Sequence, residues 1–310
     1  MGLFEKIEKI LVSNNFSRMN LESISVFKSF SRSLNDEHNK LRESIIKKII
    51  NKDIPEEFYI VPEWQKVKEG LEEYLTKLIP RPYEEIVCQA KAGRKFNYDF
   101  NFAVKYEDME VEDFHVEFKY NASSVDNVPQ FVSPMKPSKY LTQSYENFYY
   151  EKYLPGLAEL SGFELPAKED YMKQIHSNKP KCMKKYQELY YQGCSKSSKF
   201  TGKTEDIQFY EMAKKCSKES IEKFIMETEL DTNLLSEYLY DTQKGKKYML
   251  YSDGTFHLQV VNIDDYRIES VVKNAEMSRY VCLTKTGKKM EILLRWKNGN
   301  GIAFPAFQIS

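Results

Sequence analysis

Between residues 97 and 120 the chain alternates apolar and polar side chains with a period of two. Tyr98, Phe100, Phe102 and Val104 fall on one parity and Asn97, Asp99 and Asn101 on the other. After a short acidic stretch, Phe114, Val116, Phe118 and Tyr120 oppose His115, Glu117 and Lys119 in the same way. Side chains alternate across a strand, so this pattern predicts two strands of a hairpin, each with an aromatic face for a core and a polar face for chemistry. Residues 107–113 are expected to form an acidic connection between them. Upstream the period lengthens. Phe4, Ile7, Ile10 and Leu11, and again Leu41, Ile45, Ile46 and Ile49, recur every three or four positions and predict helices within residues 1–80. Pro55, Pro62, Pro80 and Pro82 punctuate the chain beyond Ile49, and a helix is expected over residues 83–92, ended by Gly93.

Downstream, residues 121–137 are rich in Ser, Asn and Pro and predict a loop, followed by an aromatic helix over 138–153 and further helices over 166–240. The tail changes character. Ser252-Asp253-Gly254-Thr255, Lys285-Thr286-Gly287-Lys288 and Asn298-Gly299-Asn300-Gly301 are turn signals between alternating runs, so residues 248–309 should contain several antiparallel strands. The expected organisation is a helical N-terminal region (1–80), a core (81–165), a lysine-rich helical insertion (166–240) and a C-terminal β region (241–310) that extends the core sheet. No repeat of solenoid period is present.

The chain has 310 residues, 41% of them hydrophobic, with 22 Tyr and 19 Phe, so a buried core is expected. Its 46 basic and 46 acidic residues cancel, which leaves local patches as the electrostatic route to a polyanion. The five cysteines are scattered and form no Cys-x-x-Cys, so neither a disulfide framework nor a structural zinc site is suggested. No signal-peptide pattern and no apolar run of about 20 residues occurs, and Lys6 spoils the myristoylation start at Met1-Gly2. A soluble protein of an intracellular, reducing compartment is expected. The sequence also lacks a phosphate-binding Gly-x-x-x-x-Gly-Lys-Ser/Thr loop, a Gly-x-Ser-x-Gly elbow and paired His ligands, which argues against P-loop, serine-hydrolase and zinc chemistry.

Asp99, Glu117 and Lys119 on one face of a hairpin would suit phosphodiester hydrolysis. Mg²⁺ prefers one or two carboxylates with waters and substrate oxygens, which Asp99 and Glu117 would offer, and the main-chain carbonyl of Phe118 could add a ligand. Lys119 would orient the attacking water and neutralise developing charge. Glu85, on the expected preceding helix, could reach the same centre. The pattern (Asp/Glu)-x-Lys occurs once in the chain, at Glu117-Phe118-Lys119. The competing reading is an exposed ion pair within the strand, and His115 reads more simply as a strand-start histidine.

On these residues the chain resembles the PD-(D/E)XK nuclease superfamily, with Asp99 matching the motif Asp, Glu117 the (D/E) and Lys119 the K. Tyr98 stands where that pattern has Pro. The Gln-x-x-x-Tyr extension of some exonuclease branches is missing, since Asn147 follows four positions after Gln143. The resemblance covers residues 83–153. It implies an α/β restriction-endonuclease-like core, a mixed central sheet flanked by helices, and Mg²⁺ as cofactor, with Mn²⁺ able to substitute. It further implies a restriction-like endonuclease that cuts double-stranded DNA to leave a 5′-phosphate, an activity that many such enzymes exert as homodimers. The alternatives are a repair, recombination or RNA-cleaving nuclease with the same site, or a non-catalytic nucleic-acid-binding protein on a nuclease-like scaffold. A third class of reading, an interaction protein docking through Tyr145, Phe148, Tyr149 and Tyr150, competes with these residues being core.

Three segments offer contacts for DNA. Lys181, Lys184, Lys185 and Lys199 belong to a lysine-dense stretch interleaved with Tyr186, Tyr190, Tyr191 and Phe200, which could neutralise phosphates and stack on bases. Asn121, Ser123 and Gln130 follow the second strand and could hydrogen-bond phosphates or base edges. Arg295 and Lys297 share one face of a C-terminal strand. Each group has a plainer reading, as solvated surface or turn chemistry.

Overall fold

The computed structural model describes residues 20–29, 34–91, 96–128, 130–131, 140–177, 180–296, 299, 301–302 and 305–309. The expected helix around Phe4 to Leu11 and the candidate contact Lys297 lie outside this set. In chain order the strands are β1 (Glu85–Ala90), β2 (Phe100–Lys105), β3 (Val111–Tyr120), β4 (Gln130–Phe131), β5 (Lys246–Ser252), β6 (Thr255–Val260), β7 (Ile268–Asn274), β8 (Arg279–Thr284), β9 (Lys289–Trp296) and β10 (Pro305–Ile309). The helices are α1 (Asn35–Ile50), α2 (Pro62–Leu78), α3 (Tyr145–Lys152), α4 (Leu154–Ser161), α5 (Lys168–Gln174), α6 (Lys184–Gly193), α7 (Thr204–Glu227) and α8 (Thr232–Gln243). They divide into two compact units. One comprises residues 1–128 and 245–261, the other residues 129–244 and 262–310.

The first unit is a mixed sheet of order β1-β2-β3-β5-β6 with helices packed on it. The β2/β3 hairpin is antiparallel as expected, but β3 already begins at Val111, so the last part of the acidic stretch is strand. β5 runs parallel to β3, and Asp253 and Gly254, both at positive φ, close the tight turn into β6. Phe114, Val116 and Phe118 enter one core with Ile45, Ile46 and Ile49 of α1 and Trp64, Val67 and Leu71 of α2. Pro62 sits at the start of α2, where its missing N–H costs nothing.

Arg42 fixes α1 to this core. Its side chain is 1% exposed, and its guanidinium lies 3.3 Å over the ring of Tyr120. It donates to the carbonyls of Val26 (2.8 Å) and Ser29 (2.7 Å) and to Asn39 Oδ1 (2.7 Å). A buried guanidinium persists only when its fork is filled in this way.

The expected helix over 83–92 is instead the edge strand β1. Glu84, Glu85, Gln89 and Ala90 favour helix locally, but Ile86 and Val87 are β-branched and the strand pairs with β2 along its whole length. Its outer edge is capped at one point, where Asn51 takes the N–H of Cys88 (2.7 Å) and donates to its carbonyl (3.1 Å).

The second unit is an antiparallel sheet of order β4-β10-β9-β8-β7 with helices α3 to α8. Thus β5 and β6 extend the first sheet, whereas β7 to β10 build a separate one. Tyr145, Phe148 and Tyr149 are buried, and the indole N–H of Trp296 donates to the Tyr145 hydroxyl at 2.8 Å. These aromatics are core. Among the described residues no helix is long and apolar enough to cross a membrane.

Candidate active site

The first unit brings Asp99, Glu117 and Lys119 together where β2 begins. The β2/β3 ladder ends at Phe100 opposite Val116, which leaves the N–H of Phe118 facing β2 without a strand partner. Asp99, in the bend just before β2, fills that gap. Its Oδ2 accepts from Phe118 N at 2.8 Å, its own N–H donates to the Val116 carbonyl at 3.0 Å, and its carbonyl accepts from Lys91 N at 2.7 Å. The carboxylate is thereby held against the backbone between Glu117 and Lys119.

Alternation puts Glu117 and Lys119 on the face opposite Phe118. Glu117 is 7% exposed and pairs through Oε1 with the ammonium of Lys119 and through Oε2 with that of Lys246. Lys246 opens β5 beside His115, and its side chain is 2% exposed, against 17% for Lys119. His115 itself stacks on Tyr98, ring centroids 4.2 Å apart and planes at 5°.

The electrostatics follow from this packing. Burial raises the Glu117 carboxyl, but Lys246 and Lys119 outweigh it and hold the group below its ordinary range. Burial, then the Glu117 charge, push Asp99 up to about 6 against the opposing pull of the Phe118 N–H and the two lysines. Burial lowers Lys246, with Glu117 resisting. A third carboxyl joins the cluster, since burial and the neighbouring Asp99 push Glu43 of α1 up to about 7. Closely spaced acids whose environments separate their protonation are a frequent mark of functional sites.

Glu85 is not part of this site. It pairs with Lys105, which in turn pairs with Val111, and Val111 stands six residues before Glu117. At a strand rise of about 3.3 Å per residue that is about 20 Å along β3, and Glu85 is exposed on the edge strand. The carboxyl of a described helix that feels the Asp99 charge is Glu43, on α1. Sequence reasoning missed both Glu43 and Lys246. Glu43 lies on the polar side of the Leu41, Ile45, Ile46 stripe and carried no local signal, whereas Lys246 shares its parity with the buried Tyr248 and Leu250, a lysine inside an apolar alternation.

The donors present suit a hard divalent cation. Among the described residues no three His, Cys, Asp or Glu side chains are placed to hold an ion by themselves. Asp99 and Glu117 with waters and phosphate oxygens match what Mg²⁺ prefers, and the two lysines balance part of the negative charge. Phe118, whose main-chain carbonyl was expected as a further ligand, offers its N–H to Asp99; the N–H and carbonyl of one strand residue face the same edge, so that carbonyl lies on the β2 side of β3, beside Asp99.

The expected nucleic-acid contacts are divided between the two units. Asn121 and Ser123 are exposed just after β3, Asn121 at φ 54°, in the first unit. Gln130 lies in β4, and its side chain is outside the described set. Lys181, Lys184, Lys185 and Lys199 are exposed on the second unit. Of the aromatics interleaved with them, Tyr186 and Tyr190 are not free to stack, being 2% and 8% exposed, whereas Tyr191 is half-buried and Phe200 is exposed. The spacing of four between Tyr186 and Tyr190 is the inward stripe of α6. Arg295, partly buried in β9, donates to Gln308 Oε1 at 3.0 Å.

No protein-family model matches the chain, and no curated protein matches it at a significant level. Among solved structures it is similar to a crystal structure of the restriction endonuclease MspI in complex with its cognate DNA, at 12% identity and a TM-score of 0.34, covering 93% of this chain and 97% of that one. At that TM-score the likeness adds nothing to what the side chains themselves offer.

Proposed function

We propose that the chain is a metal-dependent nuclease that hydrolyses phosphodiester bonds, with Asp99, Glu117 and Lys119 as its catalytic group. Double-stranded DNA, cut in the manner of a restriction endonuclease, is the substrate the motif resemblance implies. The observation that carries the reading is the meeting of these three side chains at the start of β2 and on β3, with Asp99 tied to the Phe118 N–H.

Asp99 and Glu117 would hold Mg²⁺, which when bound lowers the pKa of its water and stabilises charge on the phosphate. The protein's own contributions are positional. The Phe118 N–H orients the Asp99 carboxylate, and the core residues Val116 and Phe118 lock the strand that carries Glu117. Lys119, the more exposed of the two ammoniums, is the one able to leave Glu117 for a scissile phosphate.

The test is cleavage of supercoiled plasmid with Mg²⁺ by the wild type and by Asp99→Ala, Glu117→Ala and Lys119→Ala, with nicked, branched and single-stranded DNA and RNA in parallel. The reading expects activity in the wild type alone. Equal residual activity in all four proteins excludes the assigned centre, and salt-sensitive binding without scission by the wild type makes the chain a binding protein.

A further inference from the structure

Glu117 is the one carboxylate of the cluster with an ammonium on each oxygen, and the two ammoniums differ in access. Lys119 comes from two residues along the same strand and is 17% exposed; Lys246 arrives from the parallel neighbour β5 and is 2% exposed. An ion entering from solvent therefore meets Oε1 behind a side chain that can swing away. Oε2 stays closed. Lys246 cannot leave without carrying a charge through the packed face formed by Tyr248 and Leu250, both at most 1% exposed.

A carboxylate that serves two divalent ions most simply presents one oxygen to each, and an ammonium held on one oxygen crowds out a second ion there. Here one oxygen is committed to a fixed monovalent charge supplied by the fold. Resting on the nuclease reading above, we infer that Lys246 is a positioning residue that stands in for a second cation: it fixes the Glu117 carboxylate and limits the site to one divalent ion per chain. Lys119 is then the only ammonium that metal entry displaces, which frees it for the phosphate at the moment the ion arrives.

Isothermal titration of the metal-free 310-residue chain with Mn²⁺ alone tests this without any turnover. The wild type should bind one ion per chain, and Glu117→Gln should abolish the signal. Lys246→Met removes the fixed charge and should bind two ions, or one at least about tenfold more tightly, because an ammonium no longer competes for the shared carboxylate. Lys246→Arg, which keeps the charge, should return to the wild-type count. In cleavage assays the dependence of rate on Mg²⁺ should be first order for the wild type and steeper for Lys246→Met. Two ions on the wild type overturn the inference whatever the variants do, as does a Lys246→Met protein with wild-type count and affinity. No Mn²⁺ binding by the wild type overturns the nuclease reading itself and the inference with it, an outcome distinct from the other two.

Discussion

Arg42 offers the sharpest test of how the fold carries the site. Arg42→Met keeps most of the apolar stem and removes the guanidinium, so the Val26 carbonyl loses the buried donor that reaches it at 2.8 Å. The Ser29 carbonyl is less exposed to the change, because the Tyr120 hydroxyl also donates to it at 3.2 Å. Losing a charged hydrogen bond and leaving a buried acceptor costs about 2 kcal/mol, and the stacking over Tyr120 adds about 1 kcal/mol, for a total of about 3 kcal/mol. The chain has two tryptophans, Trp64 buried in the first unit and Trp296 in the second. In a Trp296→Phe background, urea unfolding followed by Trp64 emission reads the first unit alone. Arg42→Met should lower its stability by about 3 kcal/mol, and Arg42→Lys, which has no fork, should recover less than half of that. Because α1 also carries Glu43, cleavage should fall in both variants before either unfolds. A loss under about 1 kcal/mol, or an Arg42→Lys protein equal to wild type, would refute the view that this side chain bolts α1 to the sheet.

Asp99→Asn should abolish cleavage yet raise the stability of the first unit at pH 8, since it removes repulsion from Glu117 and keeps an acceptor for Phe118 N–H; a destabilised variant in the same urea assay would count against the crowding of acids at this site. In the second unit, burial raises the Glu146 carboxyl but its hydrogen bond to His176 wins and holds it below 4.5, so its stabilisation is complete above pH 4.5 and is lost as pH falls through the lower folded value. Glu146→Gln should therefore cost about 2 kcal/mol at pH 7, read by Trp296 emission, with the gap closing in acid; a pH-independent gap would refute the pairing. Tyr186→Ala should destabilise the second unit by about 3 kcal/mol, whereas Lys184→Ala with Lys185→Ala should leave stability unchanged and lower the salt dependence of any DNA binding. If Tyr186→Ala weakens binding without unfolding, the ring stacks on nucleic acid after all.

The local periods of the sequence carried much of the first unit. Alternation placed Glu117 and Lys119 opposite Phe118, and the three-and-four spacing of Leu41, Ile45, Ile46 and Ile49 gave α1. Pairing between distant segments was not legible in this way. Lys246 meets Glu117 through a parallel neighbour 129 residues away in sequence, and Glu43 comes within range of the Asp99 charge through the seating of a helix. Neither contact leaves a periodic trace. The segment after Pro82 went the other way, because β1 is a strand by virtue of its partner β2, which local helix preference does not register. The tyrosines near the lysine stretch were legible in principle: positions 186 and 190 are one helical turn apart and both face inward.

The proposed chemistry stands or falls on whether Asp99 and Glu117 share a divalent ion. Crystals of the 310-residue chain soaked in Mn²⁺ and measured at the manganese absorption edge would reveal such an ion independently of any activity. One anomalous peak is predicted between the two carboxylates, with Lys119 moved off Glu117 and Lys246 still on it. An anomalous map empty at that position under saturating Mn²⁺, with Lys119 and Lys246 both still closed on Glu117, would contradict the shared site.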